Sequence, residues 1–275
     1  NNSLPGIADD TTWNFTCPAS AVWTQTAGGA QAWTTGTNWS AGSAPSPIAG
    51  DTVDFSTVKI AANTALTLGA DRTAELWKFG DTVGTQTWTV SAGNKMILAG
   101  TTPTIQVNQN TATLSNVVDG TAGLTKTGAG TLTLSGANTY TGGTVVNAGS
   151  VLASTKDSLG ADDSTITFAG SATLETAHSA YPVFAKSVVV NSGVTATLNP
   201  GSQYYRMTFT GPLSGAGTVN FTTGSGGAGS ELKFTSASNS FTGILKVALI
   251  GNAGGGLTVN SLADSANPIQ LTGGG

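Results

Sequence analysis

Chemistry on a protein needs groups that exchange protons, attack carbon or hold a metal, and this sequence offers few of them. Its close acidic pairs are Asp9-Asp10, Asp162-Asp163, and Asp51 with Asp54. Two carboxylates across a glycosidic bond can divide the acid and base work of hydrolysis. Asp162-Asp163, however, follows Gly160 and precedes an alternating run, which is the setting of a solvated turn. Asp51 and Asp54 sit in Gly50-Asp-Thr-Val-Asp-Phe55, where capping of a turn and strand is the expected role. His178 is the single histidine, so neither a multi-His metal site nor a triad with a second histidine can form within one chain. Cys17 is the single cysteine, too few for a disulfide framework or thiolate cluster. It is expected to be buried as a small apolar residue, with an intersubunit disulfide as the alternative. The Gly-rich runs lack the Lys of a phosphate loop, and no Gly-x-Ser-x-Gly has a strand-to-helix setting. The expectation is a non-enzymatic chain with no catalytic residue, cofactor or metal.

The aromatic residues are the other candidates. Trp13, Trp23, Trp33 and Trp39 fall within the first 40 residues, Trp77 and Trp88 soon after, and none beyond. Aromatic rings stack on sugar faces, which makes Trp33, Trp39, Tyr204 and Tyr205 candidate carbohydrate contacts. Large rings also plug the open end of a stacked fold, and for the tryptophans that is the first reading.

Composition narrows the field further. The 275 residues carry 10 basic and 14 acidic side chains, a net charge of −4, and only 9% are charged, against roughly 25% in an ordinary domain. Ten scattered cations make no phosphate-binding patch, so no nucleic-acid partner is expected. No apolar run approaches the roughly 18–20 residues of a spanning helix, so no membrane insertion is expected. With 39% apolar residues the chain can bury a core. The start at Asn1-Asn2-Ser3 without Met fits a mature secreted form.

The elements that must position any site are strands. Alternating runs recur at Thr131–Leu134, Thr144–Val146, Thr165–Phe168, Val194–Leu198, Thr218–Phe221, Glu231–Phe234, Leu257–Val259 and Ile269–Leu271, separated by Gly, Asn, Ser and Asp. Helical periodicity is nearly absent, and the best short helix, Thr73–Lys78, competes with a strand. The run from Gly130 through Asn138, Tyr140 and Gly142 recurs as Gly229 through Asn239, Phe241 and Gly243. Asn138 to Asn239 is about 101 residues and Leu159 to Leu262 about 103, so the matches keep the constant spacing of a stacked array. A weaker copy lies at Thr87–Asn94. The chain divides into an N-terminal docking segment (1–25), a Trp-rich cap (26–60) and an all-β solenoid (61–275) with repeat copies near 123–222 and 223–275.

Residues Gly123–Leu152 hold Gly-Leu-Thr-Lys-Thr-Gly-Ala-Gly-Thr-Leu-Thr-Leu-Ser-Gly-Ala-Asn-Thr-Tyr-Thr-Gly-Gly-Thr, then Gly149-Ser-Val-Leu152. This stretch closely resembles the autotransporter-associated β-strand repeat of bacterial surface proteins. The segment with Trp33, Thr37-Asn-Trp39, Gly42, Pro45 and Gly50–Phe55 resembles the lead segment of large secreted proteins with this repeat. The resemblance implies a right-handed parallel β-solenoid (β-helix) exported to the surface of a Gram-negative-type bacterium, without catalytic activity. The second copy departs from the pattern, with Phe241 for Tyr and Ile244 after a single Gly243.

An open solenoid leaves unpaired strand edges that a neighbour can complete. The leading expectation is therefore an extracellular fibre subunit that stacks head to tail on itself. Leu4, Ile7, Trp13, Phe15, Cys17, Val22 and Trp23 would form its docking surface. The alternative is a monomeric adhesin or passenger stalk with a host or polysaccharide ligand, and a polysaccharide-cleaving β-helix stands third.

Overall fold

Alternation fixes the local structure: in run after run, every second side chain is buried and its neighbours are half-exposed. The computed structural model describes residues 19–176, 182–201, 206–222, 230–249, 256–260 and 269–273. Among them the strands form a nine-stranded sheet, an eleven-stranded sheet, and a third face made of a three-stranded and a four-stranded sheet. All strand–strand pairings are parallel, and the chain visits the faces in turn, so the molecule is a β-solenoid. One turn takes from 19 residues, Thr131 to Ser150, to 35, Gly29 to Thr64. Helical structure among the described residues is limited to two short 3₁₀ turns, Gly36–Asn38 and Lys156–Leu159. Among the described residues no helix is long and apolar enough to cross a membrane.

The core is a set of columns running along the axis. On the eleven-stranded sheet, Trp88, Ala112, Leu132, Val151, Leu174 and Leu198 stack in successive turns, followed by Phe221 and Val247. On the third face Phe184, Phe209 and Phe234 stack with ring centroids 5.3 and 5.2 Å apart. That distance is close to the strand spacing, so like residues in register bury one another's faces.

Three expectations are revised by these strands. Thr73–Lys78 is not helical; Arg72–Ala74 and Leu76–Phe79 are strands on adjoining faces. The sheets begin at Ser20–Val22 and Gly29–Ala32, so the solenoid starts well before residue 61. The two long-repeat copies also do not lie on the same face. Thr131–Leu134 belongs to the eleven-stranded sheet, whereas Glu231–Phe234 belongs to the third face. The repeat thus spans four turns and one further face, because turns are of unequal length and similarity follows the corner rather than the turn. The weaker copy does keep its face: Trp88 and Leu132 lie in the same column.

Candidate functional site

At the first turns the tryptophans close the end of the rod. Trp23 and Trp33 are fully buried and Trp39 is 3% exposed. Trp23 meets Trp39 edge-on at 5.1 Å, Trp33 lies 4.5 Å from Trp39, and Phe55 contacts all three. Their indole N–H groups are satisfied inside: Trp23 donates to Gln25 O, Trp33 to Pro45 O and Trp39 to Trp33 O. Arg72 lies over the Trp33 ring at 4.9 Å. Trp33 and Trp39 are therefore not sugar platforms, because no ring face is open to a ligand.

Val22 and Trp23, expected on a docking surface, belong to their own chain's first turn. Ser40 N donates to Val22 O, Thr24 N donates to Asn38 O, and Trp23 bridges Trp39 antiparallel. That antiparallel segment covers the end of the nine-stranded sheet, the protection that an edge strand requires. Leu4, Ile7, Trp13, Phe15, Cys17, His178, Tyr204 and Tyr205 lie outside the described residues.

The carboxylates of Asp51 and Asp54 are occupied, and Asp9 and Asp10 lie outside the described residues. Asp51 accepts from Ala19 N and Ile48 N at 2.7 and 2.8 Å. Asp54 accepts from Ser56 N and Oγ and faces Lys78 at 3.4 Å. Asp163 takes a left-handed φ of 60° in a turn and donates its N–H to Ala185 O. Among the described residues no group of three or more His, Cys, Asp or Glu could hold a metal ion.

Corners, rather than faces, carry the polar specialisation. Asn138 accepts from Val118 N of the turn before and donates to Ser158 O of the turn after. Asn239 does the same between Leu213 N and Asn260 O. Each amide therefore clips three turns, and this equivalence survives although the two copies lie on different faces. Tyr140 is fully buried with its hydroxyl 2.8 Å from Thr144 Oγ1, and burial holds its pKa above the usual range. A Cβ on Gly142 would overlap Gly123 N, and one on Gly243 would overlap Gly217 O.

Sequence reasoning gave no role to the two buried lysines. Lys126 donates to Thr127 O and Gly128 O at 2.8 Å and to Ala148 O at 3.1 Å. Burial lowers its pKa to about 8. Lys186 donates to Gly160 O, Ala161 O and Ser164 Oγ; burial lowers its pKa against the opposing pull of Asp162, Asp163 and Asp157. The missed signal is parity. Lys126 stands two residues after buried Leu124, and Lys186 two before buried Val188, so alternation turns both inward.

Beside Lys126, Gly128 has φ +77°, and a Cβ there would overlap Val107 O. The left-handed conformation alone costs an L-residue about 1–2 kcal/mol. Gly128→Ala is expected to exceed that cost in equilibrium unfolding, since backbone must also move. A loss under 0.5 kcal/mol, on the scale of a neutral surface change, would contradict the close approach.

Residues 124–153 match the family model of the passenger-associated-transport-repeat. The chain contains a repeat of the autotransporter passenger type. Across 130 residues, 45% of this chain, it is 37% identical to the adhesin BmaC autotransporter of Brucella suis biovar 1 (strain 1330). The match spans 4% of that protein's length. No solved structure matches the chain. The matched repeat covers Asn138, which clips adjacent turns, and Lys126, which bridges to Ala148 of the next turn. Such a passenger repeat accords with a surface-exposed or secreted protein.

Proposed function

We propose that this chain is a stalk section of a surface-displayed, adhesin-type autotransporter passenger and performs no catalysis. The observation that carries this reading is the passenger repeat at 124–153, whose Asn138 and Lys126 side chains join one turn to the next. Likeness to an adhesin autotransporter supports it as well. Bonded acids at Asp51 and Asp54 accord with a non-enzymatic rod. A fibre subunit stacking on itself is the competing reading, and the comparisons favour the passenger over it. The partner in the proposed reading is a host-surface or polysaccharide ligand.

The test fuses the chain to a heterologous translocator barrel and displays it on bacteria. Protease shaving should release it from intact cells, and displaying cells should adhere to host-cell and glycan-coated surfaces at least several-fold above cells with the empty barrel. Adhesion no better than the empty barrel would overturn the adhesin reading. Regular filaments of the purified chain by electron microscopy would return the fibre subunit to first place.

A further inference from the structure

The outward side of the eleven-stranded sheet carries hydroxyl groups in register. Thr89, Thr113 and Thr133 form one column across three successive turns. Beside it Thr111, Thr131, Ser150, Thr173 and Thr197 form a second column across five. The two columns meet as Thr-x-Thr in Thr111-Ala-Thr113 and Thr131-Leu-Thr133, with the middle residue buried. All eight side chains are half-exposed. None of their hydroxyls is engaged by a hydrogen bond to the described protein, so they are left to water.

Strand geometry makes this a two-dimensional lattice. Hydroxyls recur about 4.7–4.9 Å apart along the rod and about 6.6 Å apart across it, twice the rise per residue. Parallel pairing on both sides fixes the strands, and branching at Cβ restricts each threonine's χ1, so donors, acceptors and methyls repeat with little freedom left to lose on binding. The five-turn column contains no charge, and the shorter column stays uncharged through Thr133, beyond which Leu152 and Glu175 continue it. Regularly spaced hydroxyls and methyls without charge suit a partner that is itself a repeating lattice of hydrogen-bonded oxygens. A flexible glycan would call for aromatic platforms, and the described tryptophans are buried. A protein partner would call for an apolar or charged centre; the eight-hydroxyl patch has none within it, and Leu152 and Glu175, next in register after Thr133, lie at its border.

We infer that this threonine face binds ice, by holding a rank of ordered water that merges with the crystal surface. The inference goes beyond the adhesin reading and does not depend on it, because the purified chain should bind ice without being displayed.

The experiment measures partition of the purified chain into slowly growing ice, together with inhibition of ice recrystallisation. The wild type should be enriched in the ice fraction at least several-fold over a non-binding control protein and should keep crystals small. Thr113→Lys with Thr131→Lys puts bulky charge on both columns and should abolish both effects. Thr167→Lys, outward on the nine-stranded sheet, should leave them intact. Thr113→Val with Thr131→Val keeps the shape and the fold should the lysines disturb it, and should weaken partition by a factor of several. Exclusion of the wild type from ice, or undiminished binding by the folded lysine or valine variants, would overturn the inference. Ice binding without adhesion of displaying cells would leave it standing while removing the adhesin reading.

Discussion

Phe55→Ala is expected to destabilise the first turns of the rod by about 3–5 kcal/mol, the range for removing a buried aromatic ring. Phe55 is fully buried and lies 5.1 Å from Trp88, 5.2 Å from Phe79, 5.5 Å from Trp23, 5.7 Å from Trp39 and 6.2 Å from Trp33. Aromatic pairs add about 0.5–1.5 kcal/mol beyond area burial, and the five neighbours are themselves large rings that collapse poorly into a void. The effect should be local. In a stacked array each turn contacts only its neighbours, so stability is near a sum of turns and interfaces. Every tryptophan lies at or before residue 88, so indole fluorescence during guanidinium unfolding reads the N-terminal turns. Phe209→Ala, in the distant Phe184–Phe209–Phe234 stack, should leave that fluorescence midpoint in place while shifting the far-UV transition. A Phe55→Ala loss under 1 kcal/mol, or equal shifts of the fluorescence midpoint by both variants, would contradict a cap that folds on its own contacts.

What the residue order reveals here follows from what repeats in it. Period-2 alternation is a property of any strand with one face buried, so runs such as Thr131–Leu134 and Thr165–Phe168 are strands where expected. The same alternation serves all three faces equally, and nothing in it says which face a run occupies. That is why Gly130–Gly142 and Gly229–Gly243 match as sequences while their strands Thr131–Leu134 and Glu231–Phe234 sit one face apart: similarity tracks the corner chemistry of Asn138 and Asn239, whose amides need only a turn below and a turn above. The Trp33 and Trp39 rings were legible as large and clustered, but whether a ring plugs or binds depends on closure by Asn38–Ser40, an antiparallel crossing with no periodic signature. For Lys126 the one signal in the residue order is parity, and it went unread. A charge in an inward position conflicts with the default for lysine, and only the three carbonyls converging at its corner resolve the conflict.

Those carbonyls make Lys126→Met the second large effect. Methionine fills much of the volume but leaves Thr127 O, Gly128 O and Ala148 O without the donor that binds them together. An acceptor left unpaired out of reach of water costs about 1–3 kcal/mol, and these three are part-buried. Relief from burying a charge offsets part of this, and a net loss of about 2–4 kcal/mol is expected at pH 7. The pH dependence separates the two contributions. Burial lowers the Lys126 pKa from 10.5 to about 8, so below pH 8 the amine is protonated in both folded and unfolded chains. Between about pH 8 and 10.5 the unfolded chain holds a proton that the folded chain has released, and stability rises with pH. The methionine variant lacks that rise. Its deficit relative to the wild type should therefore widen from pH 8 to pH 10, while Lys186, common to both chains, cancels from the difference. Chemical denaturation at pH 7, 8, 9 and 10 measures this directly. A deficit that stays constant would mean that burial does not depress the amine, and one that narrows would mean that the three carbonyls hold the charged form more strongly than burial disfavours it.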